Sequence, residues 1–312
     1  MLMTYDLIII GGGPAGITAG IYAGRQRMKT LLITKEFGGQ IAKKAVKIEN
    51  WPGIPEITGL ELVENFISHL RKQDIEIKLT KVANIEKEGD NFIVHTAEKE
   101  RFLSKTVIIS TGADPRPLEV PGEKEFIGKG VSYCVTCDGP LFKNKQIAVI
   151  GGGNAGLEAA LFMENYASKI YVLEFKEELN ADEKNKNEAE KSEKIEIIKN
   201  ASVKEIKGND FVEKIIYEDL KTKEEKELSL QGVFIEIGNL PATSFVKNLV
   251  DFNERDEIII ECETLKTKTP GLFSAGDVKA GGYKQIVTAA GEGCKAVLSA
   301  YKYLREFKNE KN

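Results

Sequence analysis

The sequence predicts an α/β protein built from two three-layer domains, the second inserted into the first. A pattern of strand, glycine-rich turn, helix and strand occurs twice, with the glycine-rich turns starting at Gly11 and at Gly151, 140 positions apart. Each copy ends in an apolar strand that is followed by a glycine, Gly112 in the first copy and Gly238 in the second. A proline comes soon after each of these glycines. The 312 residues are enough for two ordinary domains with sizeable cores.

The first copy starts with the apolar run at residues 5–10. A helix of small residues follows from Pro14 to about Gln26, and a strand at residues 30–34. Residues 75–82 and 92–96 are expected to form meander strands. A strand, glycine turn, helix and strand in this order is the context in which such a turn holds a dinucleotide, so a Rossmann-like domain is predicted.

The second copy repeats this order with a strand at residues 146–150, a helix through about Tyr166 and a strand at residues 170–174. Residues 212–217 and 226–230 are expected to form its meander strands. The chain is therefore predicted to contain two Rossmann-like three-layer nucleotide-binding domains.

Prolines mark the expected crossings between the domains, because proline disfavours helix in the preceding residue and stiffens a connection. Pro115 and Pro117 follow the first buried strand and Pro241 follows the second. The first domain is predicted to comprise residues 1–115 and 245–312, and the inserted domain residues 117–243.

Composition excludes several classes of protein. Hydrophobic residues make up 42% and charged residues 29%, which is typical of a soluble globular protein. The net charge is −4 and no long basic run occurs, so nucleic acid is not expected as a partner. No signal peptide or membrane-length apolar run is found, and a cytoplasmic location with no membrane partner is expected. Four cysteines do not make a structural disulfide framework.

Several features predict an FAD site in the first domain. Backbone N–H groups at a glycine turn and helix N-terminus suit a pyrophosphate. Glu36 follows the second strand and is a candidate acceptor for a ribose hydroxyl, and Asp277 is a candidate for a polyol hydroxyl. A later helix N-terminus directed at a flavin would favour negative charge on the reduced ring. The predicted residues are Gly11, Gly13, Pro14, Ala15, Gly16, Glu36, Gly39, Gln40, Gly112, Gly276, Asp277, Lys284, Gln285 and Ile286.

The inserted domain is predicted to bind NADH rather than NADPH. Glu174 ends the second strand, where an acid suits free ribose hydroxyls and repels a 2′-phosphate. NADPH sites usually provide arginine for that phosphate, and no arginine occurs between Arg116 and Arg255. The predicted residues are Gly151, Gly153, Asn154, Ala155, Gly156, Glu174 and Gly238.

Cys134 and Cys137 are separated by two residues, a spacing typical of a disulfide that opens and closes easily. Asp138 follows at once and is the candidate acid, since a carboxyl beside sulfur and flavin can have a raised pKa. A zinc half-site is the rival interpretation, but no second cysteine pair supplies the other ligands, and no metal is expected. A thioredoxin domain is a further alternative, although its cysteines would not lie between two nucleotide motifs.

Taken together, these motifs resemble the low-molecular-weight thioredoxin reductase family, class II of the pyridine nucleotide-disulfide oxidoreductases. The resemblance rests on residues 11–16, 49–53, 134–139, 151–156 and 276–277, in the right order over essentially the whole chain. It implies that FAD sits in the first domain with Asn50 among its contacts, and that the nicotinamide domain carries the disulfide. It also implies a rotation between two domain orientations and a homodimer.

One departure from this family concerns the nucleotide. NADPH-using members have a His-Arg-Arg stretch where this chain has residues 174–176. Residues 37–41, 173–175 and 283–286 are more similar to the NADH-using flavoprotein of alkyl hydroperoxide reductase. That relative has an extra thioredoxin-like module at its N-terminus, which we expect here to be a separate protein.

The resulting hypothesis is an FAD enzyme that passes hydride from NADH, or from NADPH, through flavin to the Cys134–Cys137 disulfide and on to a thioredoxin- or glutaredoxin-like protein. Cys137 is expected to face the flavin and Cys134 to exchange with the partner. Three alternatives stay open: an NADH-dependent reductase of a peroxiredoxin system through a separate thioredoxin-like shuttle, a ferredoxin-dependent relative, and a redox sensor without turnover.

Overall fold

The computed structural model describes residues 3–44, 48–281 and 283–310. The chain divides into two compact units, unit 1 with residues 1–114 and 240–312 and unit 2 with residues 115–239. Up to the first crossing the elements are β1 (Thr4–Gly12), α1 (Pro14–Arg25), β2 (Thr30–Phe37), α2 (Gln40–Lys44), α3 (Gly59–Leu70), β3 (Glu76–Leu79), β4 (Val82–Glu88), β5 (Asn91–Thr96), β6 (Arg101–Ile109) and β7 (Ala113–Pro115).

Unit 2 and the return to unit 1 contain the remaining elements. They are β8 (Val131–Ser132), α4 (Val135–Asp138), a 3₁₀ helix (Gly139–Phe142), β9 (Gln146–Ile150), α5 (Asn154–Met163), β10 (Lys169–Glu174), α6 (Glu183–Lys191), β11 (Ile195–Lys199), β12 (Ala201–Gly208), β13 (Val212–Asp219), β14 (Glu225–Ser229), β15 (Gly232–Ile235), β16 (Asn239–Pro241), β17 (Leu272–Ser274) and α7 (Ile286–Glu310). The two crossings between the units fall on β7 and β16.

Unit 1 has a sheet of order β3-β2-β1-β6-β5-β4, with β17 also paired to β6. Strands β1, β2, β3, β6 and β17 run parallel, whereas β4 and β5 form an antiparallel extension. Alternate residues of β1 serve two cores: Leu7 and Ile9 pack among α1 and α7, while Ile8 and Ile10 pack on the opposite face with Val246. Layers on both faces explain why the parallel strands are continuously apolar.

The prediction of one meander strand over residues 75–82 of unit 1 is wrong. Residues 75–82 are not a single meander strand, because Glu76–Leu79 pair in parallel with β2 and a new strand starts at Val82. The amide of Thr80 donates to the carbonyl of Thr34, which ends the parallel ladder, and the chain then turns into the antiparallel extension.

Unit 2 has a fully parallel sheet of order β11-β10-β9-β15-β8 and an antiparallel sheet of order β12-β13-β14. The same alternation holds in β9, since Ile147 and Val149 pack with α5 and α6 while Ala148 and Ile150 pack against β12 and β13. The predicted fold class, a two-domain Rossmann-like α/β protein, is confirmed. The carboxyl ends of the parallel strands are where ligands bind in open α/β sheets of this kind.

Candidate functional site

The glycine turn after β1 has the geometry of a pyrophosphate cradle. Gly11 has a φ of +119°, which favours glycine, and a Cβ on Gly16 would lie 1.8 Å from the Gly11 carbonyl oxygen. Gly13 caps α1, and a Cβ there would meet nothing within 4 Å. The turn is therefore tight at Gly11 and Gly16 and open at Gly13. The opening lies at the N-terminus of the helix that starts at Pro14, where the first available N–H group is that of Ala15 because proline has none.

The end of β2, which includes Glu36, and the residues after it lie beside the same opening. A Cβ on Gly12 would lie 2.7 Å from the carbonyl oxygen of Glu36, so the end of β2 lies against the turn. A Cβ on Gly39 would lie 3.9 Å from the Cα of Gly13, and the side-chain amide of Gln40 donates a hydrogen bond to the carbonyl of Ala113. The structure thus brings these predicted residues together on one side of the glycine turn.

The carboxyl ends of β6 and β17 complete this side of unit 1. Gly112 follows β6 with a φ of +68° and open space around it. A Cβ on Gly276 would lie 3.1 Å from the Cβ of Ala15, so the Gly276-Asp277 turn lies against the first glycine motif. Within the described residues the Asp277 carboxyl has no hydrogen bond, and burial raises its pKa to about 6. A carboxyl without a partner at this position fits the hydroxyls of the FAD polyol.

The residues before α7 lie on this side as well. The Asn50 side chain donates a 3.3 Å hydrogen bond to the Gln285 side chain. Ile286, the first residue of α7, packs against the small apolar cluster that contains Ile41. Lys284 forms a 2.7 Å ion pair with the buried Glu257. The residues present in unit 1 therefore fit an FAD molecule.

The turn after β9 repeats the first in detail. Gly151 has a φ of +119°, and a Cβ on Gly156 would lie 1.8 Å from the Gly151 carbonyl oxygen. Gly153 caps α5, where a Cβ would find its nearest neighbour at 3.6 Å. Asn154 and Ala155 start the helix, and the Asn154 side chain accepts a 2.7 Å hydrogen bond from the amide of Asp182. A second dinucleotide fits here.

Glu174 lies at the end of β10, directly over this second turn. Its carboxylate accepts a 2.5 Å hydrogen bond from the amide of Gly152 and a 2.9 Å hydrogen bond from the amide of Lys176. Gly238 follows β15, with a φ of +101° and nothing within 4 Å of a Cβ. Both residues lie at the carboxyl edge of the sheet, where a nucleotide binds in this class of fold.

Glu236 is a residue of this edge that the sequence analysis missed. It follows β15, its amide donates to the carbonyl of Ile150, and its own carbonyl lies where a Cβ on Gly151 would clash. Its carboxyl has no hydrogen bond within the described residues, and burial raises its pKa to about 7. The signal available in the sequence was a lone carboxylate inside an otherwise apolar strand, residues 232–237.

Cys134 and Cys137 form a disulfide, with Cα atoms 5.3 Å apart. Cys134 caps the short helix α4, and Cys137 is exposed whereas Cys134 is half-buried. The Ser132 hydroxyl accepts a 3.0 Å hydrogen bond from the amide of Cys134 and donates a 2.6 Å hydrogen bond to Asp138. Burial raises the pKa of Asp138, and the hydrogen bond from Ser132 partly opposes this. Asp138 is therefore held close to the disulfide in a form that retains a proton more readily.

A buried carboxylate supports the segment that leads to the disulfide. Glu123 is 1% exposed and accepts hydrogen bonds from the amides of Leu118 and Glu119 at 2.7 and 2.6 Å. It also accepts a 2.5 Å hydrogen bond from the hydroxyl of Tyr133, the residue before Cys134. The connection that follows β7 and the disulfide loop are thus joined through one side chain.

The other two cysteines are not bonded to each other: Cys262 is exposed and Cys294 is half-buried on α7. None of the helices in residues 3–44, 48–281 and 283–310 is both long enough and apolar enough to cross a membrane.

Comparison with known proteins gives several similar chains. An alkyl hydroperoxide reductase component of Staphylococcus aureus (strain MSSA476) is 43% identical over 302 residues, which are 96% of this chain and 59% of that protein. An NADH dehydrogenase of Bacillus subtilis (strain 168) is 41% identical over 301 residues, 96% of this chain and 58% of that protein. This chain therefore spans about three fifths of the length of these curated relatives.

A solved structure matches nearly the whole chain. The crystal structure of thioredoxin reductase from Streptococcus pyogenes MGAS5005 aligns with a TM-score of 0.91 and 37% identity, over 98% of this chain and 100% of that one. The family described as pyridine nucleotide-disulphide oxidoreductase matches residues 5–293. As the sequence motifs predict, this chain belongs to the pyridine nucleotide-disulphide oxidoreductase family, whose members use FAD and a pyridine nucleotide.

Proposed function

We propose that this protein is an FAD-dependent disulfide reductase that passes reducing equivalents from NADH through FAD to the Cys134–Cys137 disulfide. A thioredoxin- or glutaredoxin-like protein would then be reduced by the resulting dithiol. The observation that carries the proposal is the disulfide itself, which lies in the same unit as the second glycine turn. Two nucleotide cradles and one exchangeable disulfide are the parts that such electron transfer needs.

The two cofactors are assigned to different units. We assign FAD to unit 1, residues 1–114 and 240–312, where the Asp277 carboxyl has no hydrogen bond within the described residues. We assign the nicotinamide nucleotide to unit 2, residues 115–239, where Glu174 lies over the glycine turn. Gly11, Gly13 and Gly16 of unit 1 would receive the FAD pyrophosphate, and the matching glycines of unit 2 that of the nicotinamide nucleotide.

The proposed net reaction consumes NADH, a proton and the disulfide, and yields NAD⁺ and two thiols. Bound FAD would accept hydride from the nicotinamide and supply an electron pair to the disulfide. Breaking the S–S bond leaves one sulfur as a thiolate that requires a proton. Asp138 is the proposed donor, since burial raises the pKa of its carboxyl and Ser132 holds it beside the disulfide loop.

We propose NADH rather than NADPH as the reductant. The carboxylate of Glu174 would accept hydrogen bonds from ribose hydroxyls and would repel a 2′-phosphate. In addition, the sequence of unit 2 contains an arginine only at Arg116, next to the crossing, whereas NADPH sites usually provide arginine for that phosphate. The name NADH dehydrogenase of the Bacillus subtilis relative supports the same choice.

A second candidate function is the reduction of a peroxiredoxin system through a separate thioredoxin-like shuttle. The name of the Staphylococcus aureus relative, which assigns it to alkyl hydroperoxide reductase, favours this function. The two functions differ only in the protein that takes electrons from the dithiol. NADH oxidation with each purified partner in turn, a thioredoxin, a glutaredoxin and a shuttle–peroxiredoxin pair, distinguishes them.

The decisive experiment is a steady-state comparison of NADH and NADPH with the absorption spectrum recorded in the same cuvette. We expect a flavin spectrum, bleaching on addition of NADH, and a higher kcat/KM for NADH. A colourless protein would support the sensor alternative, and a flavin reduced only by ferredoxin would support the ferredoxin-dependent one. The homodimer and the cytoplasmic location stay predictions of the sequence analysis.

A further inference from the structure

Glu292, on α7, holds both ends of the turn that carries Asp277. One carboxylate oxygen accepts a 2.8 Å hydrogen bond from the amide of Gly276. The other lies 2.8 Å from the ammonium of Lys279, and both side chains of this ion pair are largely buried, at 16% and 7% exposed. The Lys279 ammonium also donates to the carbonyl of Gly281 at 3.1 Å. The ion pair therefore fixes where the Lys279 charge is placed.

A second lysine near Asp277 is held in the same way. The ammonium of Lys284 lies 2.7 Å from Glu257, whose side chain is 7% exposed and also accepts from Asn253 at 2.8 Å. Each of the two lysines thus has a dedicated glutamate. Neither lysine forms an ion pair with Asp277, although Lys279 is only two positions further along the chain.

Both lysines and both glutamates influence the pKa of Asp277, and Glu292 contacts Gly276 and Lys279, which flank Asp277 in the chain. Burial is the main cause that raises the pKa of Asp277 to about 6, while Lys284 and Lys279 lower it and Glu292 and Glu257 raise it. A buried carboxylate normally pairs with a cation within reach. Among the described residues, Lys279 and Lys284 are each paired with a glutamate instead, so the Asp277 carboxyl keeps its capacity to accept hydrogen bonds.

We propose that Glu292 is a positioning residue that withholds Lys279 from Asp277, so that Asp277 stays available to the polyol hydroxyls of FAD. The inference rests on the FAD site proposed above. In the absence of Glu292, the ammonium of Lys279 would turn to Asp277, and FAD would have to displace it.

The test uses the 312-residue chain stripped of flavin and titrated with FAD, with flavin fluorescence as the readout. In Glu292→Gln the side-chain amide oxygen can still accept the hydrogen bond from the backbone N–H of Gly276, but the neutral side chain no longer neutralises Lys279. We therefore expect FAD to bind about tenfold more weakly. In the double variant Lys279→Met with Glu292→Gln the competing ammonium is gone, and the FAD Kd should return to within about threefold of the wild type. Glu306→Gln, an exposed position of the same helix, is the matched control and should not change the Kd.

A Glu292→Gln protein that binds FAD as tightly as the wild type overturns the inference. So does a double variant that binds as weakly as Glu292→Gln, because a merely structural role would not be rescued by removing Lys279. If Glu292→Gln does not fold, the FAD Kd of Lys279→Met is compared with that of the double variant. Once Lys279 is replaced, changing Glu292 should have no further effect, so a tenfold difference between these two Kd values overturns the inference. A wild-type protein that binds no FAD refutes the proposed function itself, which keeps the two failures distinguishable.

Discussion

The hydroxyl of Ser132 donates a 2.6 Å hydrogen bond to the carboxylate of Asp138. This hydrogen bond lowers the pKa of Asp138, against the burial that raises it. In Ser132→Ala only the burial remains, so the pKa of Asp138 rises further. Because the protonated carboxyl is the proposed donor, the alkaline limb of the pH profile for disulfide reduction should move to higher pH. Ser229→Ala, exposed on β14, is the control, and an unmoved limb in Ser132→Ala argues against Asp138 as the donor.

Cys137→Ser is expected to stop electron transfer at the reduced flavin. The variant has no disulfide to reduce, so anaerobic titration should consume about one equivalent of NADH per chain where the wild type consumes about two. Stopped-flow absorbance follows the flavin directly. Cys262→Ser, at the exposed unbonded cysteine, should behave as the wild type. Normal turnover of a thioredoxin-like substrate by Cys137→Ser would contradict the assigned role.

Glu174→Gln should reduce the preference for NADH over NADPH. The amide can still accept from Gly152 but no longer repels a 2′-phosphate, so we expect the ratio of the two kcat/KM values to fall about tenfold. Glu196→Gln, an exposed position of β11, is the control. An unchanged ratio would mean that the nucleotide is selected elsewhere.

FAD binding should depend on pH through Asp277, whose pKa is raised by burial to about 6. The ionised carboxylate is the better acceptor for polyol hydroxyls, so affinity should be full above this pKa and fall as the pH drops below it. The groups around it are Lys279, Lys284, Glu257 and Glu292. FAD titrations between about pH 5 and 8 measure the effect, and Asp277→Asn should bind more weakly with a flat profile. A sloping profile in Asp277→Asn would assign the titration to another group.

Gly16→Ala and Gly13→Ala should separate folding from binding. A Cβ at Gly16 would lie 1.8 Å from a carbonyl oxygen, so the variant should lose about 1–3 kcal/mol of unfolding free energy or more. At Gly13 a Cβ meets no atom of the described residues within 4 Å, so the apoprotein should keep its stability while FAD binding weakens. Denaturant unfolding and FAD titration measure the two effects. Wild-type FAD affinity in Gly13→Ala would place the pyrophosphate elsewhere.

The fold class could be predicted from the sequence because its signals are local. Gly11 and Gly151 each stand between an apolar strand and a helix of small residues, and that order alone specifies the unit. The assignment of residues 75–82 failed because β3 pairs with β2, which lies far earlier in the chain. No turn residue separates β3 from the strand that begins at Val82, so the switch in pairing leaves no local signal.

The candidate site was predictable to a similar degree. Cys134, Cys137 and Asp138 are close together in sequence and could be named directly. The charged residues around Asp277 could not be named from the sequence. Glu292 lies 13 positions from its partner Lys279, and Glu257 lies 27 positions from its partner Lys284. Glu236 was missed because what sets it apart is the burial of its carboxyl. That burial depends on the position of β15 in the sheet, which the sequence does not reveal.

Glu123 joins the chain just after the first crossing to the residue before Cys134 through three short hydrogen bonds on one carboxylate. Displacement of this connection therefore either pulls Tyr133 along or breaks a buried hydrogen bond at a cost of about 1–3 kcal/mol. A displacement of this connection is thus transmitted through Glu123 to Tyr133, the residue next to Cys134.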